Sequence, residues 1–301
     1  MAASLIDLHL HTTASDGTLD PVTLVKRAHA AGVRTLSVTD HDTMAGVPAA
    51  AETAAALQVE CLPGVEISAV LDGRDVHVLA YFLDPAPPGM TYFLEAQRAE
   101  RVTRARRMAA RLETSGVPIG IDAIIDSAAR AGQSVARPAL ARALVDAGHA
   151  RSQREAFDRW LGDRRPAFVR RSGYTPAEVA QLVSRAGGIS ALAHPGLLRR
   201  DRLIPRLANA GLTALEAYHP HHGAAEELRY RQLAERHGLA VSGGSDYHGD
   251  EHHRAASFGN MGLPRALFIP LLQRLLHAHG AANLGPPVGG DAPAGHDVAD
   301  D

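Results

Sequence analysis

The chain opens on the apolar run "SLIDLHL", which reads as a strand. After it, "DPVTLVKRAHAAG" has helical periodicity, with Asp20 as N-cap, Pro21 in the first turn and Gly32 past the end. The pattern then repeats. "VRTLSVTD" reads as a strand, "VPAAAETAAALQ" as a helix, and "VECLPGVEIS" and "DVHVLAYFL" as two further strands. From about 90 to 168 the strand pattern stops. "MTYFLEAQRAERVTRARRMAARLETSG" is a long arginine-rich helix capped by Gly116. Shorter helices follow at "PALARALVDAG" and at "SQREAFDRWLG", where Ser152 and Glu155 have capping-box spacing. Alternation resumes with helix "TPAEVAQLVSRAGG", strands "ISALAH" and "TALEAYH", helix "AAEELRYRQLAERHG" and strand "LAVSGGSD".

Strands alternating with helices predict an α/β fold on a parallel sheet, open or closed into a barrel, with about seven strands. The expected organisation is a first part of the sheet at 1–89, a helical insertion or lid at 90–170, and a second part at 171–283. The Gly/Pro/Asp-rich tail 284–301 is expected to be disordered.

Composition narrows the function classes. A hydrophobic fraction of 46% over 301 residues supports a large core, and a net charge of -2 excludes a general basic field for nucleic acid. Lys26 is the only lysine among 31 basic residues, so the positive charge is almost entirely arginine, whose fork suits phosphate. The single cysteine, Cys61, permits no internal disulfide and reads as a small buried hydrophobe rather than a nucleophile. With no signal peptide and no membrane-length apolar run, a cytoplasmic protein without an obligate protein partner is expected.

The 17 histidines are placed unevenly. In "IDLHLHTTASDG", His9 and His11 are two apart on a strand and therefore share a face, and Asp16 follows in the loop. Asp40 and His41 end the second strand, Glu66 the third, and His77 lies in the fourth. His194 ends the fifth, His219 the sixth with His221 and His222 just beyond, and Asp246 and His248 end the seventh. In a parallel barrel such positions converge on one rim. Any one alone is more often a core histidine, a turn or an N-cap. Buried imidazoles and carboxylates at nearly every strand end need compensation, and divalent cations supply it. Nitrogen and oxygen donors without thiolate fit Mn, Fe, Zn or Mg, and nine donors exceed the needs of one ion. Two or three ions are implied, an arrangement suited to hydrolysing phosphate esters.

The ordered motifs H-x-H…D, T-D-H, G-V-E, an isolated His, A-H-P and S-D-x-H resemble the PHP (polymerase and histidinol phosphatase) family over nearly the whole chain. The helical insertion, "ARPALARALVDAGHA", "EAYHPHH" and "GGSDYHG" are similar to its TrpH-like branch, which includes 3′,5′-nucleotide bisphosphate phosphatases and a 5′-to-3′ exoribonuclease. The resemblance implies a distorted (β/α)7 TIM-like barrel carrying an inserted helical domain. It also implies one metal on His9, His11, Glu66 and Asp246, a second on Glu66, His77 and His194, and a third on Asp16, His41 and His248, with Mn²⁺ the expected ion. Asp40 would orient a ligand, Arg137 would grip a substrate phosphate, and His222 or His219 would contact phosphate or protonate the leaving group. The branch often has histidine after R-P, where this chain has Ala139. The implied substrates are small phosphorylated nucleotides or short RNA ends. Histidinol phosphate or another small monoester, an amide or lactone, and a non-catalytic metal-binding module are the rival readings. The arginines at 98–111 could hold a second phosphate, or form a solvated face paired with Glu95 and Glu100.

Overall fold

The computed structural model describes residues 5–130, 135, 137–252 and 254–283. The expected tail disorder at 284–301 lies outside them. Among the described residues, eight strands form two sheets. In the first, β1 (Leu5–Leu10), β2 (Val33–Val38) and β3 (Glu60–Cys61) are parallel and in chain order. The second holds β4 (Gly64–Leu71), β5 (Arg74–Tyr81), β6 (Ile189–Leu192), β7 (Ala214–Tyr218) and β8 (Ala240–Gly243), also in chain order. Single parallel bridges, Leu10 to Tyr247 and His41 to Glu66, link the sheets at both seams.

Two expectations about the strands are corrected. The stretch "VECLPGVEIS" is not one strand ending at Glu66. It breaks at Pro63, which has no N–H for a ladder, and Glu66 is the third residue of β4. Nor is the sheet wholly parallel. β4 and β5 form an antiparallel hairpin from Gly64–Tyr81 to Leu71–Arg74, and β5 is also antiparallel to β6. The hairpin turns on Asp72 and Gly73, with φ of 54° and 76°, the left-handed pair that a tight hairpin favours and Asp-Gly supplies. The reversal brings the start of β5, and with it His77, to the rim where the parallel strands end.

Helix ends follow their local signals. Asp20 Oδ1 accepts the Thr23 N–H (3.0 Å), and Thr175 and Glu178 complete a reciprocal capping box. Leu8, Leu79, Leu192 and Leu215 pack in one core cluster, and Leu10, Leu24, Leu36 and Val38 in another. Among the described residues no strand falls between Tyr81 and Ile189. Helices there, Met90–Thr114 and Arg137–Asp146 foremost, share a separate cluster that includes Met108, Leu112, Leu140 and Leu144. No helix among the described residues is long and apolar enough to cross a membrane.

Cys61 ends β3, half-buried against the cluster of Leu24 and Leu36, and burial pushes its thiol up to about 11. About one thiol in a thousand is then ionised at pH 8. A chromogenic disulfide reagent should label the native protein slowly at pH 8 and faster as the pH rises. Cys61→Ala should keep full activity, and an inactive but folded Cys61→Ala protein would restore the thiol as a functional group.

Candidate metal centre

The sequence places polar groups at the rim, and close backbone approach brings them together. Gly244 shows why "GGSD" carries its glycines: a Cβ there would stand 2.4 Å from the His9 backbone nitrogen. Buried Asp7 fastens the same seam, its Oδ1 accepting N–H groups from His9 (3.3 Å) and Ser245 (2.9 Å). His194 and Asp246 have positive φ, 29° and 48°, a strained geometry for non-glycine residues that the surrounding packing enforces.

Glu66 is the hub. Its carboxylate is 1% exposed and faces five imidazoles. Oε2 lies 3.1 Å from His9 Nε2, 3.1 Å from His11 Nε2 and 3.2 Å from His41 Nδ1. Oε1 lies 2.8 Å from His77 Nδ1 and 3.0 Å from His194 Nε2. Asp246 Oδ1 closes the other side, 3.4 Å from His9 Nε2 and 3.3 Å from His11 Nε2.

Three donor sets emerge, each with its ligand atoms within 4.8 Å of one another. The first is His9, His11, Glu66 and Asp246, all buried. The second is His41, Glu66 and His77. The third is His11, Asp16, His41 and His248, the most exposed. Eight of the nine expected ligands fall in these sets and the ninth, His194, lies 3.0 Å from Glu66, with two differences in grouping. His41, not His194, completes the set with Glu66 and His77, while His194 stands edge-on to His77 with ring centres 5.2 Å apart. His11 joins the third set as well as the first.

The donor atoms fit divalent ions. Buried His11 Nδ1 and Nε2, His41 Nδ1, His77 Nδ1 and Asp246 Oδ1 have no aligned hydrogen-bond partner although carboxylates are close. Lone pairs converging on common points, rather than on one another, suit metal coordination. Without an ion the carboxylates keep protons on some of these rings, and metal binding would displace them. Burial opposes ionisation of Glu66, but the imidazoles, His41 and His77 foremost, hold it well below the usual carboxylate range. Burial would make His11 less basic, yet Asp246 and Glu66 outweigh it and raise the ring to about 10. Burial dominates at His41 and lowers it to about 3, leaving a neutral ring.

Supporting residues surround the cluster. Glu216, buried in β7, lies 2.8 Å from His9 Nδ1 and accepts the His194 N–H at 2.6 Å, so one carboxylate orients two expected ligands. Sequence reasoning missed it. The available signal was an acid inside the apolar run "TALEAY". Arg254 was also missed, and it pairs with Asp246. Asp40 does not touch an imidazole. It accepts from Thr12 N–H (2.7 Å), Thr12 Oγ1 (2.7 Å) and Ser15 Oγ (2.6 Å), pinning the loop between His11 and Asp16.

The two expected acid histidines are engaged otherwise. His219 Nε2 lies 3.0 Å from Asp246 Oδ2, and its Nδ1 accepts the His221 N–H at 3.2 Å. His222 is a buried strut: its Nδ1–H donates to the Ala217 carbonyl (2.8 Å), and its Nε2 accepts the Gly196 N–H (3.1 Å). Both ring nitrogens of His222 are used by backbone, so it has no proton to give in this arrangement. His222→Ala should cost about 1–3 kcal/mol for the orphaned groups while bound-metal content stays unchanged. Denaturant melts and metal analysis check this, and metal loss at unchanged stability would contradict the strut.

Beside the cluster is a cavity of about 260 Å³ whose wall includes Asp16, His77, Arg101, Arg104, Arg137 and Arg171. Arg171 pairs with Asp75 (2.6 Å) and Arg101 with Asp42 (2.5 Å). Among the described residues Arg137 pairs with Asp163 at 3.5 Å and Asp75 at 3.8 Å. Burial and the neighbouring guanidiniums, Arg137 first, lower Arg104 to about 10.

The PHP domain model matches residues 7–137. The chain is 36% identical over 255 residues to the 5′-3′ exoribonuclease Rnm of Salmonella typhimurium, covering 82% of this chain and 86% of that one. It is 34% identical to the 3′,5′-nucleoside bisphosphate phosphatase of Chromobacterium violaceum, covering 81% and 87%. Among solved structures, a Chromobacterium violaceum protein described as an amidohydrolase with bound sulfate and no metal superposes with a TM-score of 0.75. It is 31% identical, covering 90% of this chain and 97% of that one.

Proposed function

The chain belongs to the PHP domain family, and from that premise we propose that it is a metal-dependent phosphoesterase of nucleotides, removing the 3′-phosphate of 3′,5′-nucleotide bisphosphates and acting also on short 5′-phosphorylated RNA. The observation that carries the reading is the juxtaposition of Glu66-centred donor sets with a cavity walled by four arginines. His9, His11, Glu66 and Asp246 would hold one ion, Glu66 and His77 with His41 or His194 a second, and Asp16, His41, His248 and His11 a third. Mn²⁺ fits this nitrogen and oxygen mixture, with Fe²⁺, Zn²⁺ and Mg²⁺ as alternatives. Such ions offset phosphoryl charge and make water a nucleophile at neutral pH.

The protein's own groups do the positioning. Arg137, with Arg104 beside it, grips the phosphate that is not cleaved. Glu216 and His219 hold His9, His194 and Asp246 in place, and Asp40 fixes the loop carrying Asp16. In this reading the two linked sheets act as one distorted barrel formed by 1–89 and 171–283, and 90–170 is the lid that supplies Arg101, Arg104 and Arg137, with Arg171 just beyond it.

The test is phosphate release by the Mn²⁺-loaded protein from adenosine 3′,5′-bisphosphate, with AMP and histidinol phosphate alongside. Clear preference for the bisphosphate is expected. A preference for histidinol phosphate would replace the substrate, and no turnover of any ester would favour a metal-binding module.

A further inference from the structure

A second arginine-lined cavity opens at the turn that follows β6 and His194. The turn after His194 leads through Gly196 to Arg199, Arg200 and Arg202, and the helix Ala224–Arg236 contributes Arg229 across from them. The cavity is about 630 Å³. It starts at the rim itself: Gly196 donates its N–H to His222, and the ring of His222 lies 5.3 Å from that of His219.

Part of the charge here is neutralised and part is not. Arg200 pairs with Asp72 (2.6 Å) and Arg229 with Asp201 (3.3 Å). Arg199 and Arg202 are exposed, and neither has an acidic partner among the described residues. Arg199 is held at φ 52°, a conformation that costs an arginine free energy and aims it from the end of its turn. Four guanidiniums share this region with three carboxylates, Asp72, Asp201 and Glu226, in a chain whose net charge is -2. A positive concavity in an otherwise acidic protein is a site for an anion, and guanidinium forks match phosphate.

We propose that this cavity binds the phosphodiester backbone of an oligoribonucleotide whose terminal nucleotide lies at the ion cluster. The proposal rests on the nucleotide phosphoesterase reading and deepens it. Two arginine sites then serve the cluster: the cavity of Arg104 and Arg137 takes the phosphate of the terminal nucleotide, and Arg199 and Arg202 meet the strand that continues beyond it.

The experiment compares wild type with an Arg199→Ala/Arg202→Ala double variant, both Mn²⁺-loaded, on a 5′-phosphorylated RNA decamer and on adenosine 3′,5′-bisphosphate over a range of salt. On the decamer, kcat/KM should fall at least about tenfold, mainly through KM, and its logarithmic salt slope should become shallower by about 1.4, near 0.7 for each lost contact. On the bisphosphate it should stay within about twofold. An Arg199→Lys/Arg202→Lys variant should recover much of the salt slope. Unchanged decamer kinetics, or equal losses on both substrates, would overturn the proposal. Wild type that cleaves the bisphosphate but not the decamer would also overturn it, leaving the nucleotide reading intact. Wild type inactive on both would remove that reading as well.

Discussion

Glu66→Gln is expected to abolish tight divalent-ion binding and to lower phosphoesterase activity by at least about 10³-fold. The amide has nearly the same shape, so the change tests charge and donor chemistry rather than packing. Glu66 belongs to two of the three donor sets and touches five imidazoles. A glutamine offers one neutral oxygen where the carboxylate offers two anionic ones, and its NH₂ would point at a lone pair. Melting separates this outcome from misfolding. Ions at a hundred times their Kd should stabilise the wild type by about 2.7 kcal/mol, a rise of several degrees in Tm. The variant should melt cooperatively with a metal-dependent rise below about 1 °C. A Glu66→Gln protein with wild-type metal content and turnover would show that the cluster is not the reaction centre.

That hub was visible in the sequence as a single acid in "GVEIS"; its convergence with histidines far along the chain followed from strand order, and its grouping with particular ones from the family resemblance. What remained hidden has a physical pattern. His77 was legible as a candidate but not as a rim residue, because a parallel reading puts it in mid-strand. Asp72-Gly73 is the local sign that β5 turns back, and it outweighs the α/β rhythm around it. Glu216 was lost because it contacts ligands rather than the expected ions, so no ligand spacing marks it. His222 has the sequence context of an acid but is held by the backbone of Ala217 and Gly196, and such contacts have no sequence signature. Pairing partners such as Arg254 come from a loop whose path composition does not specify.

Arg137 is the remaining large effect, and here the argument concerns repulsion. Arg101, Arg104, Arg137 and Arg171 share one cavity wall; among the described residues Arg101 and Arg171 have close carboxylate partners and Arg137 has longer pairs to Asp163 and Asp75. Arg104 is depressed to about 10, first by burial and then by the neighbouring guanidiniums, Arg137 foremost, so part of the cost is repulsion between cations. An anion in the cavity would relieve this, and a phosphate bound by a guanidinium fork is worth about 1.5–3 kcal/mol. Arg137→Ala should therefore raise KM for adenosine 3′,5′-bisphosphate by about 10- to 150-fold and leave AMP within about twofold. The ligand-free variant should be at least as stable as the wild type, since a repelling charge has gone, whereas inorganic phosphate should raise Tm less in the variant than in the wild type. If Arg137→Ala slowed both nucleotides equally, Arg137 would be serving the reacting phosphate or the fold. The second phosphate would then have to be read by Arg104 or from outside this cavity.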